Sequence, residues 1–390
     1  MALTILITDR NLRIIGDPIT RWTQVDMTLR FNEPGSGTIT AAADGVSADQ
    51  LAPGNRLVVI RNPDPLTGYP GGIVMAGPIE QPGAEEWSID GTTSGAGTTT
   101  IGFASDEAAI VAEVAYPDPA HAITAQAASR RVYTAVSAET VMRSLVVENV
   151  GATALPARRI PKLALGPTAG VGAAVTMGFR LDPLGDALRS AALAGGGLGF
   201  RAPQVGDRIE FQVYQPRDLR GEVRFSRGLG NLRSYKYTPA APTATVAIVG
   251  DGSGEGTTRT FVEVSSMDLP QWGRYVTVVD RRDTLITAEL AAAGTEALAE
   301  AGASAQLESV TIDVPTQRYG VHYDLGDLVS VELTSGIEVA DIVRAVTITV
   351  TPDEGEQVSA VVGTQSASTD PSWVAMMRAF GRRLARLEAI

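Results

Sequence analysis

The chain has 390 residues, two to three times the size of a common single domain, so more than one module is expected. Its 32 Lys and Arg against 44 Asp and Glu leave a formal charge of −12, the wrong sign for a protein that grips DNA or RNA by displacing counterions from phosphate. There is no cysteine and there are two histidines, His121 and His322, which excludes disulfide scaffolds, thiolate zinc sites, iron–sulfur clusters and Cys nucleophiles and argues against His-based relays.

In chain order, Met1–Thr8 is apolar but has no basic lead and runs straight into Asp9 and Arg10, so it reads as a strand and not as a signal peptide. Val25, Met27, Leu29 and Phe31 alternate with Asp26, Thr28 and Arg30, which predicts a strand with one apolar and one polar face. Leu57–Ile60 reads as a buried strand. Ser137 is a good N-cap for a helix over Ala138–Val147, with Val141, Leu145 and Val146 on one side. The longest uncharged stretch, Leu163–Phe179, is 17 residues, interrupted by Pro167 and by glycines, short of the roughly 20 that cross a bilayer. Asp182-Pro183 opens a second helix through Leu184, Leu188 and Leu193, ended by Gly195–Gly197. Strand alternation returns at Ile209, Phe211 and Val213, and at Val223 and Phe225.

Thr238–Thr243 reads as a linker, because Pro239 and Pro242 should end any sheet or helix. The charge shifts here. Residues 1–238 carry a net −1, residues 239–368 a net −13 and residues 369–390 a net +2, so the second half is a separate acidic module. Within it, Tyr275–Val279 and Ile342–Val350 are β-branched runs expected to be buried strands. Val310, Ile312 and Val314 alternate, and the alanine-rich stretch Thr284–Ala301 predicts a helix. Gly54-Asn55-Arg56, Gly206-Asp207-Arg208 and Gly326-Asp327-Leu328 repeat one theme, a tight turn launching a strand from a glycine that tolerates positive φ. Turn chemistry common to β proteins and duplication of a module both account for it.

Asp370-Pro371 starts a last helix, with Trp373, Met377, Phe380, Leu384 and Leu387 spaced 4, 3, 4, 3. In that register Arg383 falls at g and Glu388 at the next e, positions that pair between neighbouring parallel helices. A coiled coil and an amphipathic helix docked on its own domain share this pattern, and two heptads do not separate them. Either way the seam needs a partner surface.

Motifs for chemistry are sparse. Gly250–Gly256 is glycine-rich, but it has no following lysine and contains Asp251 and Glu255, so it reads as a hairpin loop and not a phosphate cradle. Neither G-x-S-x-G nor H-E-x-x-H occurs. Glu85-Glu86, or Asp324 with Asp327, could form a carboxylate couple, although such pairs are commonly turn and surface residues. Both histidines read as structural. No catalytic residue, cofactor site or metal site is assigned, and scattered Asp residues leave only adventitious Ca²⁺.

The order of several segments resembles the siphophage tail-tip, or baseplate hub, proteins of phages infecting actinobacteria, relatives in architecture of contractile-tail hub proteins. The segments are Ala115-Tyr116-Pro117-Asp118-Pro119-Ala120, Ala138-Glu139-Thr140-Val141, Val213-Tyr214-Gln215-Pro216-Arg217-Asp218-Leu219 and Phe225-Ser226-Arg227-Gly228-Leu229-Gly230-Asn231-Leu232. They continue with Trp272-Gly273-Arg274, Val279-Asp280-Arg281-Arg282-Asp283, Tyr323-Asp324-Leu325-Gly326-Asp327-Leu328-Val329 and Arg382-Arg383-Leu384-Ala385-Arg386-Leu387-Glu388.

The resemblance implies a mainly β fold with an inserted α/β segment. It implies two tail-tube-like β-barrel domains, residues 1–104 completed by 224–238 and residues 239–368, around an insertion at 105–223, with a C-terminal helix at 369–390. It implies a non-enzymatic homotrimer in the virion tail tip whose six barrels adapt the hexameric tube to a threefold tip. The partners would be distal tail or tube proteins, the tape measure protein, a central fibre or spike, and DNA passing through without specific binding. Trp373, Met377, Phe380, Arg383, Leu384, Leu387 and Glu388 would form the oligomer interface. The alternative is a host-surface carbohydrate-binding or carbohydrate-cleaving tail protein, for which 5% aromatic residues offer few stacking platforms.

Overall fold

The computed structural model describes residues 3–63, 71–86, 97–239, 241–253, 259–282, 284–301 and 305–363. The C-terminal segment with Trp373, Met377, Phe380, Arg383, Leu384, Leu387 and Glu388 lies outside the described residues. Strand outweighs helix over the described residues as a whole, as the period-two patterning requires.

One large sheet carries the architecture. Its strands run Leu3–Thr8, Arg56–Arg61, Gly72–Glu86, Thr98–Ala104, Glu33–Ala42, Trp22–Arg30, Glu338–Thr351, Gly355–Gly363, Ala305–Thr311 and Leu232–Pro239, in that spatial order. Two long strands change partners midway. Gly72–Glu86 pairs first with Arg56–Arg61 and then, past register shifts at Ile79 and Gln81, with Thr98–Ala104. Glu338–Thr351 pairs first with Leu328–Glu332 and then with Trp22–Arg30 and Gly355–Gly363. Such bends fold a sheet over its own apolar face. The result is one core running from Ile5, Val25 and Phe103 to Tyr323, Ile348 and Val362. Strand pairing closes no barrel among the described residues; the path has two ends, at Leu3–Thr8 and Leu232–Pro239.

Between residues 105 and 223 a second core forms around helices. After the single turn α1 (Glu107–Val111), α2 (Ala138–Asn149) is capped by Ser137, whose Oγ accepts from the Thr140 amide at 3.3 Å. Helix α3 (Leu184–Ala194) starts just after Pro183 and ends at Gly195, where Gly196 and Gly197 turn the chain at φ 100° and 81°. Both helices pack on short strands that include Arg131–Ser137, Ala174–Phe179 and Arg208–Tyr214.

A third, smaller unit follows Thr243. Strands Phe261–Ser265, Val246–Gly250 and Val276–Asp280 form a sheet, the last two parallel. After the one-turn α4 (Leu269–Trp272), helix α5 (Thr287–Ala301) covers one face through Leu290, Ala293 and Leu298. No helix among the described residues is long and apolar enough to cross a membrane.

Two expectations are corrected. The linker starts later than Thr238: Thr238 pairs with Gln306 and Pro239 with Ala305, and the strand Leu232–Pro239, at the edge of the sheet where a proline is tolerated, ends at Pro239. Tyr275–Val279 is not a buried strand. Tyr275, Val276 and Val278 are exposed, since α5 covers only the opposite face of this three-stranded sheet.

Candidate functional site

The polar clusters picked out in the sequence are structural fasteners. His121 Nδ1 lies 2.8 Å from Asp118 Oδ2 in an exposed loop, and His322 Nδ1 accepts from the Arg318 amide at 2.9 Å. Asp324 and Asp327 do come together, but Asp327 is buried and committed to structure. It accepts from the Arg217 amide (2.8 Å) at Oδ1, and from Arg217 Nη2 (2.6 Å), Arg217 Nε (3.1 Å) and the Asp324 amide (2.8 Å) at Oδ2. A carboxylate so occupied ties the end of the inserted unit to the turn before Leu328–Glu332. Glu86 is exposed at the end of Gly72–Glu86. Among the described residues no group of three or more His, Asp or Glu could hold a metal ion. The stretch 254–258 of the glycine-rich loop lies outside the described residues.

Several fasteners carry no sequence signature. Arg56 grips the Asp106 carboxylate with Nε and Nη2, while its Nη1 donates to Thr8 Oγ1 (3.3 Å) and Gln204 Oε1 (3.1 Å). Asn32, at φ 57°, donates from Nδ2 to the Leu198 carbonyl at 2.9 Å and accepts from the Phe200 amide at 2.7 Å. Glu139 takes the amides of Ala169 (2.8 Å) and Val171 (3.0 Å). Arg61 is paired with Glu356 beside a pocket of about 450 Å³. Asp313 on that pocket accepts from Tyr323 Oη (2.7 Å) and the Tyr319 amide (3.0 Å).

Burial pushes the Asp106 carboxyl up to about 6 despite the opposing charge of Arg56. Because the folded value lies above the ordinary 3.8, this group favours folding most below pH 4, and that contribution is lost as pH rises through 6. An Asp106→Asn variant should therefore gain on the wild type in denaturation midpoint between pH 5 and pH 7.5. A wild type that gains on the variant over that range contradicts the assignment.

The feature with the largest extent is the sheet face turned away from the core. The polar row foreseen at Asp26 and Thr28 continues across neighbouring strands by register: Asp26 opposes Thr38 and Thr349, Thr28 opposes Ser36 and Thr347, and Thr40 opposes Thr100. Thr347 then opposes Ser359, and Thr349 opposes Gln357. Side chains interlock along it: Thr28 Oγ1 lies 3.3 Å from Thr347 Oγ1, and Thr349 Oγ1 donates to Asp26 Oδ1 at 2.8 Å. Gln24 Nε2 donates to the other Asp26 oxygen at 2.6 Å. Charges are few along this row: Asp26, then the largely buried Arg30, whose Nη1 donates to Ser36 Oγ at 3.1 Å, and Glu86 opposite Thr98. Arg233 and Arg318 line the pocket that Thr347, Thr349, Gln357 and Ser359 border, so the surface is hydroxyl-rich with sparse charge of both signs.

A sequence-family profile described as Siphovirus ReqiPepy6 Gp37-like protein matches residues 4–364. No curated protein matches the chain. Among solved structures it is similar to the 43 kDa tail protein of prophage MuSo2 from Shewanella oneidensis, with TM-score 0.52 and 13% identity over 92% of this chain and 97% of that one. It is similar to a tail protein from Neisseria meningitidis MC58, with TM-score 0.53 and 12% identity over 93% and 96%. It is also similar to prophage tail protein gp18 from Listeria monocytogenes EGD-e, with TM-score 0.51 and 10% identity over 98% and 99%. At such identities the likeness is one of fold, and the family assignment rests on the profile, which spans nearly the whole chain. The chain belongs to the Siphovirus ReqiPepy6 Gp37-like family, and its fold is similar to that of solved prophage tail proteins.

Proposed function

We propose that three copies of this chain close a collar at the tail tip, adapting the hexameric tube to a threefold tip and passing DNA without binding it. The hydroxyl-rich sheet face carries this reading. A wall rich in Thr and Ser, with few cations and carboxylates among them, offers phosphate little net counter-charge, so a polyanion passes it without being held. Because Trp22–Arg30 pairs directly with Glu338–Thr351, the face is continuous across both halves of the chain, and each copy would supply two tube-like segments to the ring. In this reading residues 1–104 with 224–238, and residues 239–368, close their barrels within the assembly around the insertion at 105–223. The tape measure protein, distal tail or tube proteins and a central fibre or spike meet the two rims. The collar has no reactive centre of its own.

Trp373, Met377, Phe380, Arg383, Leu384, Leu387 and Glu388 would supply the subunit interface. Sedimentation equilibrium tests this. The full chain should sediment near three times 40.8 kDa and a Leu384→Asp variant near 40.8 kDa, with unchanged circular dichroism. Trimers in both remove the seam from the interface, and a monomeric wild type overturns the hub.

A further inference from the structure

The three-stranded sheet of residues 246–280 has one face that is exposed along its two outer strands. On the central strand of that face Val246 is buried, but its neighbour Val276 is exposed; Ile248 lies between exposed Val278 and Glu263, and Phe261 lies opposite Gly250. Val278 is 71% exposed, Phe261 53% and nearby Met267 98%. Of the seventeen large hydrophobic side chains exposed among the described residues, eight fall within residues 261–286. Solvent-facing apolar side chains are ordinarily scattered, and a cluster of this kind marks a contact surface.

The chain itself supplies a matching occupant. The described structure ends at Gly363, paired with Glu308 on the strand that begins just after α5. The next six residues, Thr364-Gln-Ser-Ala-Ser-Thr369, are uncharged and span at most about 20 Å. They lead into residues 370–390, whose sequence predicts an amphipathic helix with four Arg against two acids. Residues 241–301 carry nine acids against four Arg, so the two surfaces are opposite in net charge as well as both apolar. A short helix needs a surface to hold it, and Phe261, Ile248, Val276 and Val278 give the seam an apolar strip bordered by the ion pairs of Glu263 with Arg274 and Asp280 with Arg259.

We infer that the Trp373–Leu387 seam of one copy docks on the exposed Phe261–Val276–Val278 face of the next. One seam and one face per chain permit a head-to-tail contact, which closes a ring of three where each copy is turned by a third of a circle from the last. This rests on the subunit-interface reading above and names the surface that the seam meets.

The cysteine-free sequence makes the test clean. A Val278→Cys, Leu384→Cys double variant, oxidised mildly and run without reductant, should give covalent two- and three-chain species whose linked peptides join residues 278 and 384. Leu384→Cys alone should give none. An exclusively intrachain link in the double variant means the segment covers its own copy and overturns the inference. Self-linked Leu384→Cys chains, or trimers that never link 278 to 384, overturn it while leaving trimerisation standing. A variant that sediments as an unlinked monomer, with a wild type that does the same, overturns both.

Discussion

Replacing Asp327 with alanine should lower the folding free energy by roughly 3 kcal/mol, because two backbone amides and the Arg217 guanidinium lose one acceptor group. Asp327 is 2% exposed, so water does not replace the lost bonds in place. The Arg217 side chain is half exposed and recovers its own hydration, which keeps the cost below that of stranding a fully buried charge. Asp327→Asn retains one acceptor oxygen and should cost about half as much. Urea midpoints for the two variants check the order. A loss under about 1 kcal/mol for the alanine variant would mean that the turn holds without this carboxylate.

Tyr323→Ala should be the most damaging single change, at about 4 kcal/mol. The ring is completely buried and meets Phe225 edge-on, with centroids 5.5 Å apart and planes at 88°. It joins the strands after the insertion to those before it, so its removal leaves a cavity in the one core both share. Tyr323→Phe isolates the hydroxyl. It keeps the packing, strips Asp313 of its 2.7 Å donor and should cost about 1–2 kcal/mol. If the alanine and phenylalanine variants have equal midpoints, the contribution of the ring is polar and the packing argument fails.

Where sequence and structure agree, local chemistry dictates the outcome. Gly54, Gly206 and Gly326 sit at φ 89°, 60° and 86°, each launching the strand that its Gly-polar-x-apolar pattern announces. At Gly326 a Cβ would also run into the Phe31 ring, so space as well as φ demands glycine. Ser137 caps α2 as its position foretells. The polar row of Asp26 and Thr28 was legible as one face of a strand, but not its extension over Thr347 and Ser359, because register between strands some 320 residues apart leaves no mark in a single sequence.

The same limit hid Arg56 and Asp106, which are fifty residues apart and unremarkable individually. Tyr275–Val279 misled for another reason. A β-branched run reports strand propensity and is silent on whether anything covers it. Pro239 ends its strand as expected, but only after pairing, because a proline is tolerated at a sheet edge.

The collar depends most directly on how copies of the full chain arrange themselves. Electron cryomicroscopy of the purified protein should show threefold rings, with the face that bears Asp26, Thr38 and Thr349 turned toward the axis. Single-copy particles, or rings with that face outward, would contradict it.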